Sequence, residues 1–249
     1  MTNVLVVYKK NFESVHDESL SQLKFILEEM KSSHQLRVEM RARERVRRAD
    51  FIGRDLVIVL GGDGTLTSIS HNIDENTPVM GVNSHPLHSD KDGSVGFYMD
   101  STLDTFADDF LAALNGKAIV NNLPRLRAII DSTSGNRYTT DPAMNELLIA
   151  NTHQYAPSKY HLRRGEKNTK QQSSGLIFST WLGQGAWFAH SLDTATLDEI
   201  RSEIVEGQEE SHYFVLARDL NHGQRVDERW SWVDWTEIPT QILSDMHRG

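Results

Sequence analysis

The chain has 249 residues, of which 38% are hydrophobic and 24% charged, and its formal net charge is −9. This composition is typical of a soluble globular protein with a real core, and an acidic chain gains little from the phosphates of nucleic acid or from an anionic membrane surface. The chain contains no cysteine, which excludes disulfides, thiolate metal sites and cysteine nucleophiles, and its apolar run at Val4 to Tyr8 is too short for a signal segment or a membrane span. We therefore expect a mature cytoplasmic protein with neither nucleic acid nor membrane as a partner.

The first half of the chain alternates apolar runs with amphipathic segments. The β-branched run at Asn3 to Tyr8 predicts a buried strand, and Asp17 to Ser32 has the apolar spacing of a helix. Further strands are predicted at residues 35–40, 55–60 and 77–82, and a further helix at residues 101–114. Because alternating strands and helices favour parallel β-α units, we predict an α/β domain over residues 1–118.

The pattern changes after Lys117. Short strand-like runs separated by polar turns follow, which is typical of an antiparallel β domain. We therefore predict a second, β-rich domain over residues 119–249. Its strands are expected at residues 125–131, 143–150, 158–162 and 175–180.

A glycine-rich turn from Gly61 to Thr65 directly follows the apolar run that ends at Leu60. Asp63-Gly64 is a pair common in hairpins, but residues 66–73 do not alternate as a returning strand would. The order strand, glycine-rich turn, helix instead fits a phosphate cradle, because glycines let the backbone approach a polyphosphate closely. A carboxylate in such a turn would repel phosphate unless it binds Mg²⁺ or takes a proton from an attacking hydroxyl.

The turn resembles that of NAD kinases and, more distantly, those of diacylglycerol and sphingosine kinases and phosphofructokinases. Three further segments favour the NAD kinases. The strand at Pro78 to Asn83 and the later Gly96-Phe97 pair resemble one family motif, Asn145-Glu146 resembles a second, and the glycine-rich segment from Ser173 to Trp187 resembles a third. Residues 83–89 and the ends of the third segment are nearest in pattern to the mitochondrial-type NAD kinases.

The resemblance implies a Rossmann-like α/β N-terminal domain, an antiparallel β C-terminal domain and phosphoryl transfer from ATP to the 2′-hydroxyl of the NAD adenosine ribose, which gives NADP. It implies Mg²⁺ or another divalent cation as cofactor, with ATP as phosphoryl donor, and assembly as a homodimer or homotetramer. Asp63 would be the base or a carboxylate linked to the metal. The nucleotide phosphates would be bound by Gly61, Gly62, Gly64, Thr65 and Asn83, and the NAD by Phe97, Tyr98, Asn145, Glu146, Thr180, Ala186 and Trp187.

The chain departs from the family pattern at Trp181, Leu182 and Gln184, where relatives usually have small, hydroxylated residues. The run from Phe214 to Asp219 takes the place of a family strand, and the strands expected after it are hard to find in the sequence. These departures leave a non-catalytic NAD(P)-binding sensor as an alternative, and the shared turn leaves a lipid kinase of the diacylglycerol type. The sequence does not choose between ATP and polyphosphate as donor, or between NAD and NADH.

Overall fold

The structure is a computed structural model that describes residues 1–10, 14–88, 91–153, 155–220 and 228–245. Ser89, part of the segment compared with mitochondrial-type enzymes, lies outside these ranges. The chain divides into two compact units, Met1–Asn122 and Leu123–Gly249. Among the residues described, no helix combines the length and the apolar character needed to cross a bilayer.

The N-terminal unit is built on a parallel sheet. Its strands are β1 (Thr2–Tyr8), β2 (Leu36–Ala42), β3 (Leu56–Gly61), β4 (Val79–Asn83) and β5 (Ser101–Thr102). They lie in the order β2-β1-β3-β4-β5, and every neighbouring pair is parallel. The chain moves from one side of β1 to the other between β2 and β3, and open sheets of this kind bind ligands at the carboxyl ends of the strands beside such a switch.

Helices cover this sheet and supply its core. They are α1 (Ser14–Ser33), α2 (Arg48–Phe51), α3 (Asp63–Ile69) and α4 (Phe106–Leu114). Leu23 and Leu27 of α1 share one buried cluster with strand residues and with Phe106 and Phe110 of α4, whose rings stack at 5.4 Å. The helix predicted from residue 101 therefore begins five residues late: Ser101 and Thr102 pair with β4 instead.

The C-terminal unit is antiparallel. Its strands are β6 (Ile129–Asp131), β7 (Arg137–Thr139), β8 (Glu146–Ile149), β9 (Ser158–Arg164), β10 (Lys167–Ser173), β11 (Leu176–Ser179), β12 (Tyr213–Ala217), β13 (Val233–Thr236) and β14 (Thr240–Ser244). They form a hairpin of β6 and β7, a sheet in the order β10-β9-β14 and a sheet in the order β13-β12-β11-β8. Its helices are α5 (Trp187–His190) and α6 (Thr194–Arg201).

The four-stranded sheet is the middle layer of this unit. On one face, Phe178 packs in a cluster with Tyr160 and Leu162 of the three-stranded sheet. On the other face, Phe188 of α5 stacks on Phe214 at 4.5 Å, and Ile200 of α6 joins the same cluster. The residues of the two central strands, β11 and β12, therefore alternate between the two apolar layers, which fixes the register of these strands.

The predicted fold class, an α/β domain followed by an antiparallel β domain, is confirmed. The strands that were hard to find after residue 219 are present in the structure as β13 and β14. Val233 and Trp235 are buried in the core, whereas most of β14 is only partly buried or exposed, so β14 lacks the apolar alternation that identifies a strand. The helix α6, which begins after an Asp193 cap, was not among the predicted elements.

Candidate functional site

Asp63 is the first residue of α3, and only Gly62 separates it from the carboxyl end of β3. Its two carboxylate oxygens accept separate backbone hydrogen bonds, Oδ2 from the Phe97 N–H at 3.0 Å and Oδ1 from the Tyr98 N–H at 2.8 Å. A carboxylate has about four lone-pair positions. The side chain is therefore held in one orientation and still has acceptor capacity for a ligand or a proton.

The turn before Asp63 is built for close approach. A Cβ on Gly61 would lie 2.3 Å from Thr65 Oγ1, and one on Gly62 would lie 2.9 Å from Ser94 Oγ. A Cβ on Gly64, in contrast, would meet nothing within 4 Å. The amides of Asp63 and Gly64 belong to the first helical turn, where backbone N–H groups have no partner within the helix. The N–H groups of Asp63 and Gly64 are thus available to a ligand, and Gly64 has no side chain that would block its approach.

Asn83 lies beside this turn, because it is the register partner of Gly61 at the ends of β3 and β4. Its side chain is buried; it accepts from the His85 N–H at 3.1 Å and donates to the Ser94 carbonyl at 3.1 Å. In the structure Asn83 therefore organises the segment that follows β4. Its predicted contact with nucleotide stays a prediction.

Phe97 and Tyr98 extend the site at the other end of that segment. Their rings meet edge to face with centroids 5.0 Å apart, and the Phe97 side chain is 56% exposed. Gly96 has a φ of +73°, which favours glycine, and a Cβ there would lie 2.5 Å from Asn83 Nδ2. The segment therefore holds the exposed Phe97 and the half-buried Tyr98 beside the Asp63 carboxylate.

Glu146 is the centre of a separate cluster in the C-terminal unit. It is the first residue of β8, it is half-buried, and its Oε1 accepts from the Phe188 N–H at 3.1 Å. Burial raises the pKa of Glu146 above its ordinary value of 4.5, while backbone hydrogen bonds from Phe188 and Trp187 oppose that rise. The carboxylate is therefore tied to the start of α5, which carries Trp187.

Asn145 and Thr180 fix the backbone beneath Glu146. The Asn145 carbonyl accepts from the Thr180 N–H at 2.9 Å, and the Thr180 hydroxyl donates to the Met144 carbonyl. Thr180 is 2% exposed, so the structure gives this predicted NAD-binding side chain a partner inside the protein. A Cβ on Gly183 would lie 2.0 Å from Ser179 Oγ and 3.2 Å from Glu146 Oε1, so the chain passes very close to the carboxylate.

Trp187 is the exposed part of this cluster, and Ala186 precedes it at the start of α5. The Arg218 guanidinium lies over the Trp187 indole, with its carbon 5.0 Å from the ring centroid. Among the described residues Arg218 makes no salt bridge, and its backbone is fixed by a bond to the Gly175 carbonyl at 2.9 Å. The sequence singled out the strand that ends here but not Arg218 as a site residue; the signal was a cation at the end of an apolar run in an acidic chain.

The unusual residues from Trp181 to Gln184 form a 3₁₀ turn, Trp181–Gly185, directly after β11. Trp181 packs against the cluster that contains Phe188, and Leu182 is buried. Of the two positions considered for this indole, in the pocket or in the core, the structure shows contact with the core.

Metal ligands are sparse in the part of the chain that the structure describes. There, no group of three or more His, Asp or Glu side chains is arranged to hold an ion. The two clusters described above, around Asp63 and around Glu146, contain most of the residues that the sequence proposed.

Residues 3–116 match the family model described as the ATP-NAD kinase N-terminal domain. A probable NADH kinase of Oryza sativa subsp. japonica is 30% identical over 149 residues, which cover 53% of this chain and 44% of that protein. An NAD kinase of Syntrophobacter fumaroxidans is 31% identical over 138 residues, with coverage of 53% and 44%. The matched segments thus span less than half the length of these relatives.

Two solved structures have the same fold. An NAD kinase from Archaeoglobus fulgidus, solved in complex with ATP, superposes with a TM-score of 0.64 at 15% identity and covers 99% of this chain and 85% of its own. Yeast NADH kinase, solved with NADH, superposes with a TM-score of 0.68 at 14% identity and covers 100% of this chain and 70% of its own.

Proposed function

We propose that the chain transfers a phosphoryl group from ATP to the 2′-hydroxyl of the NAD adenosine ribose, because residues 3–116 match the ATP-NAD kinase N-terminal domain and the two relatives named above are similar over part of their length. The product is NADP. The observation that carries this proposal is the Asp63 carboxylate, which is held at the start of α3 by two backbone amides in a turn that matches the family.

The role of Asp63 follows from its free acceptor capacity. A hydroxyl that attacks a phosphoryl group must lose its proton, and a positioned carboxylate can accept it. The two amides orient the carboxylate before substrate arrives, so little ordering remains to be done in the transition state. Gly61, Gly62 and Gly64 allow the phosphates close to the backbone, and Thr65 fixes the turn through its bond to the Gly62 carbonyl at 2.8 Å.

The divalent cation is proposed to arrive with the triphosphate. Mg²⁺ in such sites is commonly held by substrate phosphates, water and one or two carboxylates. If Asp63 is the metal-linked carboxylate rather than the base, it would supply an oxygen to the cation, which would neutralise charge on the transferring group.

The dinucleotide is proposed to contact the Glu146 cluster. The Glu146 carboxylate and the Asn145 amide would hydrogen-bond the ribose hydroxyls and the adenine, and Ala186 and Trp187 would shape the pocket around these two side chains. In the N-terminal unit, the exposed Phe97 and the half-buried Tyr98 are also proposed to contact NAD. The Arg218 guanidinium over Trp187 adds a positive charge, which an acidic protein needs locally to bind an anion.

We further propose that the chain assembles as a homodimer or homotetramer. Apolar side chains of the C-terminal unit are exposed on its hairpin and on β8, an edge strand of the four-stranded sheet. These are Ile129, Ile130, Tyr138, Leu148 and Ile149. A second copy that covered them would remove apolar surface from water. Light scattering that gives a monomer mass at micromolar concentration would contradict this assembly.

The alternative function, a sensor that binds NAD or NADP without turnover, was suggested by Trp181 and its neighbours. The contact between Trp181 and the core gives this indole a structural role and weakens that motive. A lipid kinase is disfavoured because the N-terminal unit matches the ATP-NAD kinase domain. A cytoplasmic location rests on composition alone and stays a prediction.

The direct test is to incubate the purified chain with NAD, ATP and Mg²⁺ and to measure NADP. Parallel reactions with NADH and with polyphosphate identify the preferred acceptor and donor. Asp104→Asn, which changes an exposed carboxylate outside the site, is the control for Asp63 variants. Binding of NAD or NADP without NADP formation from ATP, other nucleoside triphosphates or polyphosphate would support the sensor instead.

A further inference from the structure

A buried polar contact joins the beginning of α1 to the residue that follows β4. His16 Nδ1 and Ser84 Oγ share a hydrogen bond of 2.8 Å, and Ser19 Oγ donates to the Ser84 carbonyl at 2.8 Å. The three residues are 8%, 5% and 5% exposed, respectively, for His16, Ser19 and Ser84. The contact therefore buries polar groups from two segments that are 65 or more residues apart in the sequence.

Stability alone does not require polar groups at this position. Buried polar atoms lose their hydration, so the net contribution of such a hydrogen bond is small, and apolar groups of the same shape can be nearly as stabilising. What the polar groups add is direction, because a hydrogen bond fixes both the distance and the angle between two atoms. The contact therefore specifies where the Ser84 backbone lies relative to α1.

Ser84 is in turn bonded to the glycine-rich turn. Its N–H donates to the Gly61 carbonyl at 3.0 Å, and the next residue, His85, donates its N–H to Asn83 Oδ1 at 3.1 Å. The His16 and His85 rings also meet edge to face at 6.1 Å. A continuous chain of bonds therefore runs from α1 through Ser84 to the first glycine of the turn.

The far end of the same segment reaches the carboxylate. Ser94 donates its N–H to the His85 carbonyl at 2.7 Å, and its own carbonyl accepts from Asn83 Nδ2. Three residues later, the Phe97 N–H binds Asp63. Movement of Ser84 would therefore be transmitted to both sides of the turn.

We propose that His16 and Ser19 are positioning residues of the phosphate-binding turn and act on it through Ser84. This role deepens the proposed function, on which its kinetic consequence rests. His16 touches neither substrate nor reacting atoms in this assignment; it sets the place of the backbone that does.

The test compares His16→Leu, which removes the ring nitrogen, with His16→Asn, whose side-chain amide can place a polar atom near the position of Nδ1. Amide hydrogen exchange, followed by NMR without nucleotide, reports the turn independently of activity. In His16→Leu we expect the amides of Ser84, Phe97 and Tyr98 to exchange about tenfold faster, and in His16→Asn we expect rates close to those of the unaltered chain.

The kinetic measurement uses the same proteins. If the chain is an NAD kinase, kcat/KM for ATP should fall about tenfold in His16→Leu, recover in His16→Asn, and fall no further when Ser84→Ala is added to His16→Leu. Tyr160→Phe is the matched control, because it removes another buried hydroxyl bond, at 2.8 Å to Ser173, in the C-terminal unit. It should leave exchange in residues 61–98 and kcat/KM unchanged.

Two results would overturn the positioning role. One is unchanged exchange at Ser84, Phe97 and Tyr98 in His16→Leu, or an unchanged kcat/KM in an active enzyme. The other is equal acceleration throughout β1 and β3, which would mean that the bond only stabilises the unit. A chain that makes no NADP but shows the local exchange pattern would refute the proposed function and support the positioning role.

Discussion

Asp63→Asn removes a charge and also one hydrogen-bond acceptor. Both carboxylate oxygens of Asp63 accept a backbone N–H, whereas asparagine has a single oxygen, so its NH₂ group would face the N–H of Phe97 or Tyr98. Asparagine therefore matches aspartate in size but does not preserve both hydrogen bonds. Losing one charge-assisted bond costs about 1.5–3 kcal/mol. That is about a 10- to 150-fold shift toward an open loop.

Two measurements separate the role of Asp63 in holding the Phe97 and Tyr98 amides from its role in phosphoryl transfer. Amide exchange at Phe97 and Tyr98 gives the change in loop opening, and NADP formation gives the change in turnover. If Asp63 is the base, turnover should fall by about 10²-fold or more beyond the effect of loop opening, while NAD binding by calorimetry largely survives.

The result that would refute this reasoning is near-normal turnover in Asp63→Asn. A loss of turnover no larger than the change in exchange would instead assign Asp63 to holding the loop. Asp104→Asn should change neither quantity, since its side chain is exposed and lies outside the site.

Three further changes test the C-terminal cluster. Burial raises the pKa of Glu146 above 4.5, so the contribution of Glu146 to stability is most favourable below that pH and is lost as the pH rises through the folded pKa. In denaturant titrations over that rise, the free energy of unfolding of the unaltered chain should fall more than that of Glu146→Gln. Parallel curves for the two proteins would contradict this prediction. Gly183→Ala would place a Cβ 2.0 Å from Ser179 Oγ and should cost about 1–3 kcal/mol and weaken NAD binding in calorimetry, whereas Gly185→Ala has open space and should not. Because Trp181 packs against the core, Trp181→Gly should lower the free energy of unfolding by about 2–4 kcal/mol. A large change in KM with unchanged stability would contradict this structural role.

The fold was predictable wherever a segment's burial shows in its own residues. Val4 to Val7 and Leu56 to Leu60 are fully or almost fully buried, and such strands have continuous apolar sequences. Residues 240–244 form a strand by pairing with β9, yet their side chains are largely exposed, so no apolar pattern marks them. Prediction therefore failed where backbone pairing, rather than side-chain burial, determines the structure.

The site divides in the same way. The turn around Asp63 was predictable because glycines, a carboxylate and their spacing are all local in sequence. Asp63 accepts hydrogen bonds from the amides of Phe97 and Tyr98, which are 34 and 35 residues away in the sequence. These bonds depend on how the strands pack together, and a local sequence pattern does not contain that information. The same holds for Arg218 over Trp187 and for His16 against Ser84, each a contact between distant segments.

The pairing of β14 with β9 has a consequence for synthesis on the ribosome. Every strand of the parallel sheet lies within the first 122 residues, so that unit can close while the rest is being made. In the C-terminal unit, Arg164 of β9 pairs with Thr240 of β14, which is synthesised 76 residues later. Until β14 has been made, one edge of β9 has unpaired backbone N–H and C=O groups. Such an edge invites pairing with another chain. A nascent chain stalled before residue 240 should therefore be a preferred target for chaperones and a source of aggregation.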